Sequence, residues 1–278
     1  MRLYVSADME GTAGVCSWAQ VDPSNQYEYP IYRRYMSREV RAAIDGARAA
    51  VPSCEVLVND SHWDMRNLLW DELPDDVRVI SGARKPLSMT QGASERYDAA
   101  FFTGYHGAIG TTGAVLAHTY NDASIYDVRV NGTPCSEALL NAAVLGLYGT
   151  PVVLVTGDRT TVELTLRALP WAVGVAVKDA IGYYAANSLA PQAACRAIAD
   201  GAREAIARVP SARPFTFEPP IELVIETNTV AQADFIELLP RFERIGGRAV
   251  RFVCGDYLTA FAAFLVAMRL GGAANLPA

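Results

Sequence analysis

Along most of the chain, short continuous apolar runs alternate with longer stretches of helical period. Residues 3–7, 56–58, 77–80, 99–103, 152–156 and 173–177 are strand-like runs rich in Val, Leu, Ile, Phe or Ala. Residues 31–50 carry Met36, Val40, Ala43, Ile44 and Ala47 on one helical face. Further helices are predicted over 135–147, from Thr160, and over 191–209, where Pro191 stands at the start. Residues 125–130 are strand-like and run into an Asn131-Gly132 turn signal. A Pro- and Arg-rich linker follows at 210–220. Beyond it the pattern predicts a strand at 221–225, a helix at 230–239, a strand at 249–254 and a helix at 257–269. The last helix places Leu258, Phe261, Leu265 and Met268 on one face.

Strands spaced by helices predict an α/β fold with a mostly parallel sheet covered by helices. Unbroken Val/Leu/Ile strands are what such a sheet requires, because both of its faces are covered. The regular alternation lasts to about residue 210. The expected organisation is therefore a main α/β domain over 1–210 and a smaller C-terminal α+β domain over 211–278.

Composition narrows the function. A chain of 278 residues with 51% hydrophobic content buries a substantial core and is neither disordered nor collagen-like. Its net charge of −6 argues against a nucleic-acid partner, which needs a basic face. The five cysteines are dispersed with no Cys-x-x-Cys pair, as expected of free thiols in a reducing compartment. The 22 arginines against two lysines, Lys85 and Lys178, read as a genome-composition bias. The apolar start is broken at Asp8, too early for a signal peptide. The longest apolar stretch, 257–268, falls short of the roughly 20 residues that span a bilayer. A soluble cytoplasmic protein with no membrane partner is expected.

In open α/β sheets, sites form beyond the carboxyl ends of strands. Here the first run is followed by Asp8-Met9-Glu10-Gly11, the second by Asn59-Asp60-Ser61-His62 and the fourth by Gly104-Tyr105-His106. Only three histidines exist, His62, His106 and His118, so any imidazole chemistry falls to them. Asp8 and Glu10, two apart, share a side if the strand end is extended; such a pair needs a cation or a shared proton. Each piece also has an ordinary reading. Asp8 and Glu10 could be a solvated loop pair, Asp60 a turn cap rather than the carboxylate that orients a metal-binding His62, and His106 a core histidine. Glu137 reads as an acid favouring a helix N-terminus, and the pattern alone does not select it. The chain has no His-Glu-x-x-His, no phosphate loop, no Gly-x-Gly-x-x-Gly opening a helix and no Gly-x-Ser-x-Gly elbow.

Taken in order, Ser6-Ala7-Asp8-Met9-Glu10-Gly11, Val58 to His62, Gly104-Tyr105-His106 and Asn131 to Glu137 resemble the M55 peptidase family. Its type member is a zinc-dependent D-aminopeptidase. The likeness continues through Ser81-Gly82, Lys85-Pro86, Gly157-Asp158 and Val177-Lys178. The resemblance implies two Zn²⁺ held by Asp8, Glu10, His62, His106 and Glu137, with Asp8 bridging. It makes His118 the catalytic nucleophile or acid/base, acting on short peptides with an N-terminal D- or L-residue. It also implies a homo-oligomer, a ring of ten subunits. Two imidazoles and three carboxylates suit zinc, and manganese or cobalt fits the same donors. Two other readings stand beside it. One is a different two-metal hydrolase acting on an amide or phosphoester, with Arg84-Lys85 near the metals. The other is a non-catalytic peptide- or metal-binding protein.

Overall fold

The computed structural model describes residues 1–274, so the last four positions of the expected C-terminal domain lie outside the described residues. The chain divides into two compact units. The first comprises Met1–Gly107, Thr112–Leu116 and Leu145–Phe215; the second comprises Ala108–Thr111, Ala117–Val144 and the chain from Thr216 onward.

The first unit is the expected α/β layer structure. Its strands are β1 (Arg2–Ala7), β2 (Glu55–Asp60), β3 (Arg78–Ile80), β4 (Ala99–Tyr105), β7 (Val152–Asp158), β8 (Val173–Gly182) and β9 (Ala185–Ser188). Its helices are the short α1 (Trp18–Val21), α2 (Tyr29–Ala50), α4 (Arg159–Ala168) and α5 (Pro191–Arg208). The sheet order is β3-β2-β1-β4-β7-β8-β9, parallel except for the β8–β9 hairpin. Every residue of β4 and β7 is buried, as a sheet covered on both faces demands. Helices α2 and α5 pack along one another, and their apolar stripes close the core around Val5, Phe101 and Leu154. Asp158 caps α4 by accepting from Thr161 N at 2.9 Å.

The second unit is α+β. Strands β5 (Ile125–Val130), β6 (Thr133–Pro134), β10 (Ile221–Thr227), β11 (Phe242–Arg244) and β12 (Ala249–Cys254) form an antiparallel sheet ordered β11-β12-β10-β5-β6. Helices α6 (Val230–Glu237) and α7 (Tyr257–Ala273) pack on it. In β10, buried and half-buried residues alternate strictly, the signature of an antiparallel strand with one covered face. Helix α3 (Glu137–Leu147) starts in this unit, and its last residues belong to the first.

The sequence placed one boundary near residue 210. Instead, residues 108–111 and 117–144 belong with the C-terminal segment. The physical reason is the pairing of β5 with β10, Val128 level with Ile225, which joins strands nearly 100 residues apart. Local pattern carries no record of such a partner.

Candidate metal centre

The register of the parallel sheet brings the chemistry of the first unit together. Ala7, the last residue of β1, is level with Asp60 of β2 on one side and Thr103 of β4 on the other. Asp8, His62 and His106 therefore leave the same edge of three adjacent strands. The chain order runs outward from β1 to β2 and β3, then returns to β4 on the other side. Binding crevices of open sheets form outside the carboxyl ends at such a reversal.

Asp8 and Glu10 do come together, but not by strand alternation. β1 ends at Ala7, and residues 9–12 turn, with Thr12 N donating to Met9 O at 3.0 Å. The turn is pressed onto the end of β4, where Gly11 N donates to Gly104 O at 2.7 Å and Asp8 N to Thr103 O at 2.8 Å. Both glycines are required. A Cβ on Gly11 would meet Tyr105 O at 2.0 Å, and one on Gly104, at φ +69°, would meet Asp8 O at 2.2 Å.

Four sequence-predicted ligands, Asp8, Glu10, His62 and His106, are buried together here. His62 Nδ1 lies 3.0 Å from Glu10 Oε2 and 3.6 Å from Asp8 Oδ1. Its Nε2 donates to Val21 O at 2.7 Å, the last carbonyl of α1. His106 Nδ1 donates to Gly107 O at 3.0 Å, and its Nε2 lies 3.4 Å from Asp8 Oδ2. A carbonyl only accepts, so each ring carries its hydrogen on the outer nitrogen and turns the other toward the carboxylates. Metal-ligating histidines are oriented in this way. Burial pulls the His62 pKa down, but the Glu10 and Asp8 carboxylates outweigh it and hold it well above the usual imidazole value. One ligand atom each from Asp8, Glu10 and His106 falls within 4.8 Å of the others. Nitrogen and oxygen donors at such spacing in a buried acidic cluster fit a zinc ion.

Asp60 is placed differently from its expected role. Its carboxylate accepts from Asn67 N at 2.6 Å, Leu68 N at 2.8 Å and Asn67 Nδ2 at 2.7 Å, not from the His62 ring. It ties the loop after His62 back to β2, and Asn67 Nδ2 also reaches His62 O at 2.6 Å. Burial raises the Asp60 pKa, with those donors pulling the other way.

In the second unit, Glu137 is the first residue of α3 and its Oε1 accepts from Tyr120 N at 2.7 Å. His118 Nε2 lies 3.7 Å from the same oxygen. Tyr120, at φ +59°, is pinned by its hydroxyl to Asn141 Oδ1 at 2.8 Å and by edge contacts with Phe261 and Phe264.

Composition alone gave the two lysines no role, yet Lys178 is buried and Lys85 half-buried, each bonded to the backbone at or next to a candidate ligand. Lys178 on β8 donates to the carbonyls of Glu10, Thr12 and Val15. Lys85 donates to Asn59 Oδ1 at 2.7 Å and Asp60 O at 2.6 Å. Burial pushes both ammonium pKa values down to about 8. The signal was their rarity: in a chain that otherwise uses Arg, a retained Lys marks a place where only a compact ammonium fits.

Paired carboxylates and imidazoles tied to backbone carbonyls at the switch point of an α/β sheet offer donors for a metal ion. The family model of peptidase M55, D-aminopeptidase, matches residues 1–266, and the chain belongs to this family. It is 35% identical over 275 residues to a D-aminopeptidase of Bacillus subtilis (strain 168), covering 97% of each chain. It is also similar to a solved structure described as a Zn-dependent D-aminopeptidase, DppA from Bacillus subtilis, a self-compartmentalizing protease. There the TM-score is 0.93 at 33% identity, with 98% of each chain covered. Among the described residues, no helix is long and apolar enough to cross a membrane.

Proposed function

We propose that this protein is a zinc-dependent aminopeptidase that removes N-terminal D-residues from short peptides at a two-zinc site. The observation that carries the reading is the orientation of His62 and His106, each tied to a backbone carbonyl with its other nitrogen toward Asp8. The residues that would hold the metal are Asp8, Glu10, His62 and His106, with Glu137 added by the family resemblance. Manganese or cobalt would occupy the same donors. Zinc, when bound, supplies Lewis acidity for the scissile carbonyl and makes water acidic near neutral pH.

The chain's own residues do the rest. Asp8 and Glu10 bring the negative charge that holds cations, and the buried cluster keeps bulk water from competing for them. With zinc bound, the Val21 and Gly107 carbonyls would keep each imidazole's hydrogen on the outer nitrogen and leave the other free to face the metal. His118, at 9% exposure, holds a proton and delivers it to the departing amine. Tyr120 N fixes the Glu137 carboxylate beside that imidazole.

The phosphoester reading drew on Arg84-Lys85 near the metals. The Lys85 ammonium is engaged by Asn59 Oδ1 and Asp60 O, which counts against its binding a phosphate. The relative described as self-compartmentalizing supports a homo-oligomer for this chain, a ring of ten subunits in the cytoplasm by family resemblance. Sedimentation of the purified protein checks the assembly.

The test of function offers a D-alanyl nitroanilide and an aryl phosphate side by side, with and without chelator. The expected result is nitroanilide cleavage that chelator abolishes and zinc restores, with the phosphate untouched. Cleavage of the phosphate alone would overturn the proposal.

A further inference from the structure

We infer that Lys178 is a positioning residue for Glu10: together with Glu39 it sets the loop at residues 10–15 in its ligand-presenting form before any metal binds. The inference rests on the reading of Glu10 as a zinc ligand.

This loop has no regular secondary structure, yet its backbone is engaged from several elements. Lys178 on β8 donates to Glu10 O, to Thr12 O at 3.0 Å and to Val15 O at 2.7 Å. Glu39 on α2 accepts from Ala13 N at 2.8 Å, and Ser188 Oγ on β9 accepts from Gly14 N at 2.8 Å. Gly11 N reaches Gly104 O, Thr12 N reaches Met9 O, and Val15 N reaches Thr12 O. Each amide from 11 to 15 is therefore bonded, and none of the accepting groups belongs to a zinc ligand. The loop's form does not wait for the ion.

Lys178 is the centre of this arrangement. An ammonium out of water is tolerated only when its N–H groups are bonded, and here three donors meet three carbonyls from one short loop. The first of those carbonyls is Glu10's own, so the contact fixes the peptide unit from which the ligand side chain springs. The chain has 22 arginines and two lysines. A planar guanidinium cannot meet three oxygens grouped around one point, so the lysine is specific. The acids that act on this ammonium are Asp158, Glu39 and Glu10, so its charge also balances the cluster it supports.

Hydrogen exchange on the metal-free wild-type chain is the first test. The amides of Gly11, Ala13 and Gly14 are expected to exchange within about tenfold of the β1 amides, with little change when zinc is added. Fast exchange that slows only with zinc would mean that the metal orders the loop, and would overturn the inference. The second test measures zinc affinity by chelator competition, and the visible spectrum of the cobalt form, for Lys178→Met and Lys178→Arg. Both are expected to lose roughly 10–100-fold in affinity and to show an altered cobalt spectrum. Wild-type affinity in Lys178→Arg would overturn the inference, because charge without the three-carbonyl contact would then suffice. Should Lys178→Met not fold, the exchange measurement and Lys178→Arg still decide. A Glu10→Gln variant that keeps full zinc content would overturn the ligand assignment instead, whatever the loop exchange shows, so the two failures are told apart.

Discussion

Replacing Glu39 with Gln is expected to stabilise the metal-free protein at pH 8 relative to its effect at pH 5. Glu39 is 2% exposed on α2; its Oε1 accepts from Ala13 N, and its Oε2 is buried with no hydrogen-bond partner among the described residues. Burial pushes the carboxyl up from 4.5 to about 7, while the Ala13 N–H and the Lys178 ammonium pull it down. The folded chain thus holds the proton more tightly than the unfolded chain. Between pH 4.5 and 7 the unfolded chain loses it first, so stability falls as pH rises through that window and stays reduced above it. The gap of 7 − 4.5 corresponds to about 3 kcal/mol at full development. Glutamine keeps the oxygen that the Ala13 N–H needs and never becomes charged. Whatever its NH₂ group costs is the same at both pH values and cancels. The mutational effect at pH 8 minus that at pH 5 should therefore be about 2–3 kcal/mol in favour of Gln. Urea unfolding of both proteins after chelation measures it. Equal effects at the two pH values would refute the reasoning, since Glu39 would then titrate as it does in the unfolded chain.

Gly104→Ala forces a Cβ to 2.2 Å from Asp8 O at φ +69°. It should cost about 2–4 kcal/mol in urea unfolding and weaken zinc binding, and a wild-type midpoint would contradict the account. Asp60→Ala leaves the Asn67 and Leu68 amides without their acceptor and removes one of the two bonds of Asn67 Nδ2. A loss of roughly 3–5 kcal/mol is expected, and an unchanged melting temperature would show that the loop does not depend on it. His118→Ala should keep its zinc yet lose about 100-fold or more in turnover, and full activity with metal bound removes His118 from the chemistry.

The parallel layer was legible because its strands are buried on both faces and write themselves as unbroken apolar runs. The same edge logic placed Asp8, His62 and His106 at one edge of the sheet, where the structure gathers them. What the sequence hid was non-local. The partner of β5, β10, lies far along the chain, so the composition of the second unit was invisible. The β8–β9 hairpin was missed because Tyr183 and Tyr184 at its tip are not turn residues. Asp60 was assigned to the nearer imidazole, whereas its carboxylate is consumed by amides seven and eight residues on. Asp8 and Glu10 were paired for the wrong reason: the close approach of Gly11 to the end of β4, not strand period, gathers them.

The most direct test of the central claim follows zinc content and D-alanine release together as chelated protein is titrated with zinc. Substrate should be a short peptide with D-alanine at its N-terminus, with the L-isomer run in parallel. The account predicts no release without metal, activity that rises as two zinc ions bind per chain, and preference for the D-isomer. Full release from protein stripped of metal, or a plateau of activity with no zinc bound, would contradict it.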